Sequence, residues 1–330
     1  MRNIFKSHLE NNSEESEQVT QKYWLHFLLF IATFFTTTVA GYEWVSGFSN
    51  RTEFMELTSG FPYAFSILFV LGTHEFGHYF AAKIHKVKAT LPYFIPFPSF
   101  GFLNFGTLGA VIKIKSPIPS KKALFDIGVA GPIAGFIAST LLLIYGFTHL
   151  PGKEFLLQIH PDYDLPTYGK NGLALVFGDS LLFAFLREAL TSSQNFVPPM
   201  SEMYHYPYLC VGWFGYFVTA MNLIPVGQLD GGHVIYALFG EKKQYAISSV
   251  AMIFLIVFGV LGVLIVYFPI PLSIGWSGWL FWALILFFVI KIKHPPIYDE
   301  TPLDGKRKII GYLTIAIFIG CFIPTPFIIF

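Results

Sequence analysis

The sequence predicts an all-α polytopic membrane protein with about seven transmembrane helices and a membrane-associated β-hairpin after the second. Three observations carry this prediction. The 330 residues are 54% hydrophobic and 12% charged, with a mean hydropathy of +0.58, outside the usual range of a soluble globular domain. Apolar stretches near the roughly 20 residues needed to span hydrocarbon occur at about 23–44, 61–84, 123–149, 207–224, 246–268, 275–292 and 308–328. Between the second and third lies LPYFIPFPSFGFLNFGTLGAVIKIK, rich in Phe, Pro and Gly, whose VIKIK alternates with the period of a strand. Non-helical backbone at membrane depth needs protein or a wet cavity around it, because lipid cannot satisfy its N–H and C=O groups.

Residues 1–22 are polar and acidic, without the basic start and short apolar core of a secretory signal, and are expected to be a flexible tail. This favours a bacterial cytoplasmic membrane. Residues 23–60 hold the first span and an external loop, and 241–330 hold the C-terminal spans. Lysines and arginines cluster at 83–88, 113–122, 242–243 and 291–308, and the positive-inside rule places all four clusters in the cytoplasm. With the N-terminus also inside, the second span runs inward. Residues 172–190 carry Asp179, Arg187 and Glu188 and are expected to form an amphipathic helix on the outer interface.

A net charge of +1 and the lack of a basic stripe exclude nucleic acid as the expected partner. The lipid bilayer is the expected surroundings. Cys210 and Cys321 lie far apart in apolar segments, form no pair, and are expected to face lipid. Gly128, Gly131 and Gly135 in the third span suit close helix packing, a structural rather than chemical role.

The second span contains LGTHEFGHYF. His74 and His78 are four apart and so share one helix face, a spacing able to hold one metal. Glu75 falls beside that metal rather than on it, suited to deprotonating a water. Ionisable side chains at membrane depth cost on the order of 2.5 to 3.5 kcal/mol each on insertion scales. Several within one turn imply a compensating metal and cavity.

A catalytic zinc site takes three protein ligands and keeps one position open. Asp230, in MNLIPVGQLDGGHVIYALF at the end of the fourth span, is the candidate third ligand, because that span also runs inward. Asp304 repeats the local LDG but sits among charged residues, where a carboxylate needs no partner. Asp126 is expected to cap or pack the third span. Asn222 is suited either to donating to an oxyanion or to bonding between helices. His233 is placed to support the metal centre or to sit at the interface. His85, His160, His205 and His294 are scattered, which argues against a multi-histidine lipid enzyme.

HEFGH in one span with NLIPVGQLDGGH in a later one resembles the site-2 protease family of intramembrane zinc metalloproteases. FGTLGAVIKIK and AGPIAG also resemble that family, and the resemblance covers a catalytic core at about 61–240. It implies His74, His78 and Asp230 as ligands of one Zn²⁺ per chain, Glu75 as the base, and Asn222 as a substrate or oxyanion contact. It further implies an endopeptidase that cuts within or near transmembrane segments of single-pass proteins or remnant peptides, as in regulated intramembrane proteolysis. The residues alone also allow a zinc peptidase acting on cytosolic or lipidated peptides, or a non-catalytic membrane scaffold. About 55 residues between the third and fourth spans are too few for a built-in PDZ domain.

Overall fold

A computed structural model describes residues 21–47, 54–98, 104–165, 168, 175–192, 196–268 and 274–329. Most of the expected tail at 1–22 lies outside the described residues. The chain is mainly helical. In order it forms α1 (Tyr23–Ser46), a 3₁₀ segment (Phe54–Gly60), α2 (Phe61–Ile84), strands β1 (Tyr93–Pro96) and β2 (Thr107–Val111), and α3 (Lys121–Thr148). Next come α4 (Lys153–Ile159), β3 (Leu175–Phe177), α5 (Leu181–Leu190), a 3₁₀ turn (Met203–His205) and α6 (Pro207–Leu223). The C-terminal part holds α7 (Asp230–Phe239), α8 (Glu241–Tyr267), α9 (Gly278–Ile285) continued by a π-helical turn (Leu286–Ile290), α10 (Gly305–Cys321) and β4 (Phe327–Ile329).

Helices occupy all seven predicted ranges, but among the described residues only α1, α3 and α8 are both long and apolar enough to cross a bilayer. The helix α2 is as long as α1, yet its HEFGH turn interrupts the apolar run. Shorter helices α6 and α10 have 17 residues each. The predicted last span, 308–328, is cut short at Cys321 because Pro324 and Pro326 follow, and the chain leaves the helix to form β4.

The hairpin forms as expected, β1 pairing antiparallel with β2. The helix α1 holds it along its length. Near the start of α1, His26 Nδ1 lies 3.0 Å from the Pro92 carbonyl and its ring stacks on Tyr93. Further along, Thr36 Oγ1 donates to the Gly106 carbonyl at 2.6 Å. Near the end, the Trp44 indole donates to the Asn104 carbonyl at 2.6 Å. His26 and Trp44 are separated by about 27 Å along the helix axis at the usual rise. The hairpin therefore runs most of the length of α1, and the side chains of that helix satisfy backbone groups that lipid could not.

At the centre, α3 packs along α2 and α6. Its N-terminus is capped by Ser120, whose hydroxyl accepts the Ala123 N–H. The main core gathers Trp44, Tyr63, Phe177, Trp213 and Phe214, all buried. Cys210 and Cys321 are fully buried in that core, so the expectation that they face lipid is corrected. They fill protein interior.

Of the predicted amphipathic stretch 172–190, the described residues 175–190 are likewise only partly helical. Leu175–Phe177 forms a second two-stranded sheet with Phe327–Ile329, which ties the loop after α4 to the C-terminus, and the amphipathic helix begins at Leu181.

Candidate metal centre

The helices α2 and α7 meet at α3. His74 and His78 project from one face of α2 and are buried. Asp230 opens α7, where the free N–H groups of the first turn favour an acid. The chain reaches that position by a tight reversal after α6, in which Gly227 adopts φ +54° and any side chain would strike the Lys291 carbonyl. His74 Nε2 and His78 Nε2 lie 3.1 Å apart. Asp230 Oδ2 is 3.6 Å from the first and 3.3 Å from the second.

These spacings fit a metal. Bonds of about 2.0 to 2.2 Å in a tetrahedral site put donor atoms about 3.3 to 3.6 Å apart, the range of both Asp230 distances, with the two imidazole nitrogens slightly closer at 3.1 Å. The protonation pattern fits as well. His78 Nδ1 lies 2.7 Å from the Ile127 carbonyl, which can only accept, so Nδ1 carries the proton and Nε2 presents its lone pair. His74 Nδ1 is buried with no hydrogen-bond partner among the described residues.

The α3 glycines make this packing possible. A Cβ at Gly131 would overlap the His78 imidazole, and one at Gly135 would sit 3.1 Å from His74 Nδ1. A Cβ at Gly128 would come 3.0 Å from the Cβ of His233. The stripe thus serves close helix packing, as the sequence predicts, and two of its members pack against the histidine rings of α2.

Glu75 is buried at the same turn, and its Oε2 accepts the Ile112 N–H at 2.8 Å. This bond joins α2 to the residue just after β2. The Asn222 amide lies 3.4 Å from His74 Nε2, so Asn222 is beside the three donor atoms.

Other residues singled out from the sequence lie elsewhere. His233 Nδ1 is 2.7 Å from His294 Nε2. Asp126 lies inside α3 rather than capping it, and receives a bidentate pair from Arg307 at 2.8 and 2.6 Å while also meeting His85 at 2.7 Å. Asp304 is not a partnerless loop carboxylate. It caps α10, accepting the Arg307 N–H and pairing with its guanidinium.

A further cluster escaped sequence reasoning. His160, Glu202 and His205, distant in the chain, place one donor atom each within 4.8 Å of one another. In the sequence His160 and His205 read as scattered histidines, and nothing singled out Glu202. Only tertiary structure brings them together.

The model of peptidase family M50 matches residues 62–265, which contain His74, His78, Asp230, Glu75 and Asn222. The chain is 32% identical over 268 residues to "Probable zinc metalloprotease EGY1, chloroplastic" of Arabidopsis thaliana, covering 80% of this chain and 42% of that protein. It is 28% identical over 260 residues to "Probable zinc metalloprotease EGY2, chloroplastic" of Oryza sativa subsp. indica, covering 78% of this chain and 41% of that protein. The chain thus spans about two fifths of the length of these relatives. No solved structure matches it. With the match running through every element that builds the three-donor centre, the chain belongs to peptidase family M50, the site-2 protease family.

Proposed function

We propose that this protein is a zinc-dependent intramembrane endopeptidase that hydrolyses peptide bonds within or near transmembrane segments of membrane-anchored proteins. The observation that carries the reading is the convergence of His74 Nε2, His78 Nε2 and Asp230 Oδ2 to within 3.6 Å, with Glu75 on the same apolar helix. The relatives' printed names support zinc as the metal, and we assign one ion to this single group of three donors.

Bound there, the metal supplies Lewis acidity that lowers the pKa of a water and polarises the scissile carbonyl. The chain supplies the rest. His74, His78 and Asp230 hold the ion, and the Ile127 carbonyl keeps His78 in the ligating tautomer. Glu75 takes the proton of the attacking water and returns it to the leaving nitrogen. One Glu75 oxygen is engaged by Ile112, leaving Oε1 for the proton. The Asn222 amide donates to the developing oxyanion.

A helical substrate must unwind locally, because its own hydrogen bonds shield the scissile carbonyl. We assign the unwound strand to the side of β2 away from β1, next to Glu75, by edge addition. An apolar cavity of about 290 Å³, lined by Leu223, Gly231, Val234, Ile235 and Phe318, adjoins the metal-bearing elements and supports an apolar substrate. The substrates assigned are single-pass proteins or remnant peptides.

Seven spans, with the lysine clusters and metal centre on the cytoplasmic or stromal side, complete the reading. The relatives' printed location supports a chloroplast membrane, whereas a bacterial cytoplasmic membrane rests on the polar N-terminus. Cleavage of a transmembrane peptide by the detergent-purified protein tests the proposal. Turnover confined to soluble peptides would favour the peptidase of cytosolic or lipidated chains instead.

A further inference from the structure

The His160, Glu202 and His205 cluster lies at the opposite end of the bundle from the proposed catalytic centre. His205 stands two residues before α6, while Asn222, beside His74, is at its far end. Seventeen helical residues separate the two by about 25 Å.

The three side chains come from separate pieces of the segment between α3 and α6. His160 ends α4, Glu202 precedes the 3₁₀ turn, and His205 closes it. His160 Nε2 and His205 Nε2 are 3.0 Å apart. Glu202 Oε2 is 3.6 Å from the first and 3.4 Å from the second. These spacings resemble the 3.1, 3.3 and 3.6 Å of the first centre.

Tautomer and burial agree with the distances. His205 Nδ1 lies 2.9 Å from the Trp44 carbonyl and 3.1 Å from that of Val45. Carbonyls only accept, so this nitrogen carries the proton and Nε2 of the neutral ring turns its lone pair to the cluster. The Tyr168 hydroxyl donates to Glu202 Oε1 at 2.9 Å and orients the carboxylate. Glu202 is 3% exposed, and its Oε2 has no hydrogen-bond partner among the described residues. A direct bond between the two imidazoles would leave this buried oxygen unpaired, whereas a cation between them engages all three atoms.

The first helix is shaped to admit the rings. Gly47, which ends α1 at φ +70°, would as any other residue bring a Cβ 3.3 Å from His205 Cε1 and 3.5 Å from His160 Cε1. It thus combines the left-handed helix ending with a cradle for both imidazoles.

We propose that His160, Glu202 and His205 form a second divalent transition-metal site, of the zinc class, that staples the segment between α3 and α6 against the end of α1. Two imidazoles and one carboxylate are a donor set suited to Zn²⁺ rather than Ca²⁺ or Mg²⁺. The partly exposed His160 ring leaves the fourth position towards water. This site stands on its own residues and not on the catalytic reading.

The test uses full-length protein in detergent, stripped with chelator, reloaded with Zn²⁺ and freed of loose metal. The expected content is two zinc ions per chain, one in His160→Gln, one in Glu202→Gln, and one in His74→Ala/His78→Ala. The combined His74→Ala/His78→Ala/His160→Gln variant should hold none. In the His74→Ala/His78→Ala background, added Zn²⁺ should raise the melting temperature, and His160→Gln should abolish that rise. Unchanged zinc content in both single variants of the second cluster, or no zinc in folded His74→Ala/His78→Ala protein, would overturn the site and leave a hydrogen-bonded triad. Should the His74→Ala/His78→Ala protein fail to fold, a drop from two zinc ions to one in His160→Gln of otherwise unaltered sequence decides in favour, and no drop decides against.

Discussion

The Ile112 N–H and the Glu75 carboxylate share a 2.8 Å hydrogen bond, with Glu75 Oε2 accepting. Through it, the residue proposed as base is held by the same hairpin proposed to receive substrate. A shift of the hairpin would therefore be felt at the carboxylate that moves the proton. Replacing Ile112 by Pro removes the donor, and we expect kcat to fall by about tenfold with zinc content unchanged. Glu75→Gln should lower kcat by about 10² to 10⁴ or more, again with zinc retained. Parallel turnover and metal analysis would check both. Equal activity of Ile112→Pro and the parent would remove the hairpin from the mechanism.

Gly131 tests how the centre is packed. Gly131→Ala puts a methyl group on the His78 ring, so the variant should lose most of its zinc at that centre. Gly305→Ala is the control, since a Cβ there meets nothing within 4 Å. Metal content of the two folded proteins, each in a His160→Gln background to isolate one centre, gives the comparison.

Asp230 and Asp304 share a local LDG but not a role. Asp230→Asn should remove zinc from the centre, while Asp304→Asn should leave zinc and activity intact. The Arg307 guanidinium and N–H hold the exposed Asp304 carboxyl down at about 2, from an ordinary 3.8. Because the folded value is depressed, its contribution is fully present above the ordinary value and is lost as pH falls through about 2. Zinc release between pH 7 and 4 should then follow the same curve in Asp304→Asn and in the parent. A displaced curve would tie the α10 cap to the metal.

Arg307 pins α10 to α3 through its bidentate pair with Asp126, which also contacts His85 at the end of α2. Side-chain exposures of 30% and 26% reduce its worth below that of a dry pair. We expect Arg307→Ala to cost about 1 to 2 kcal/mol. Thermal unfolding of zinc-loaded protein would measure it, and Arg307→Lys should recover only part because it cannot form both bonds.

Local spacing made part of this centre legible in the sequence. Histidines four apart on a helix share a face whatever surrounds them, and few acids besides Asp230 sit in apolar surroundings. The hairpin was readable because Pro and Gly in an apolar stretch exclude a regular helix. Less visible was anything that depended on partners from elsewhere. Gly131 and Gly135 read as packing residues because nothing in their own span shows which side chain they face. His160 and His205 read as scattered because 44 intervening residues hide a 3.0 Å approach. Asp304 read as partnerless because its pairing with Arg307 forms only once α10 begins.

The most direct test of the central claim is cleavage of a transmembrane peptide in lipid vesicles by zinc-loaded protein, beside Glu75→Gln with its zinc content measured. Cuts within or near the membrane segment are predicted for the parent, with turnover lower by about 10² or more in Glu75→Gln at equal zinc. Turnover by Glu75→Gln within about tenfold of the parent, or a zinc-loaded parent that cuts no transmembrane peptide, would contradict the claim.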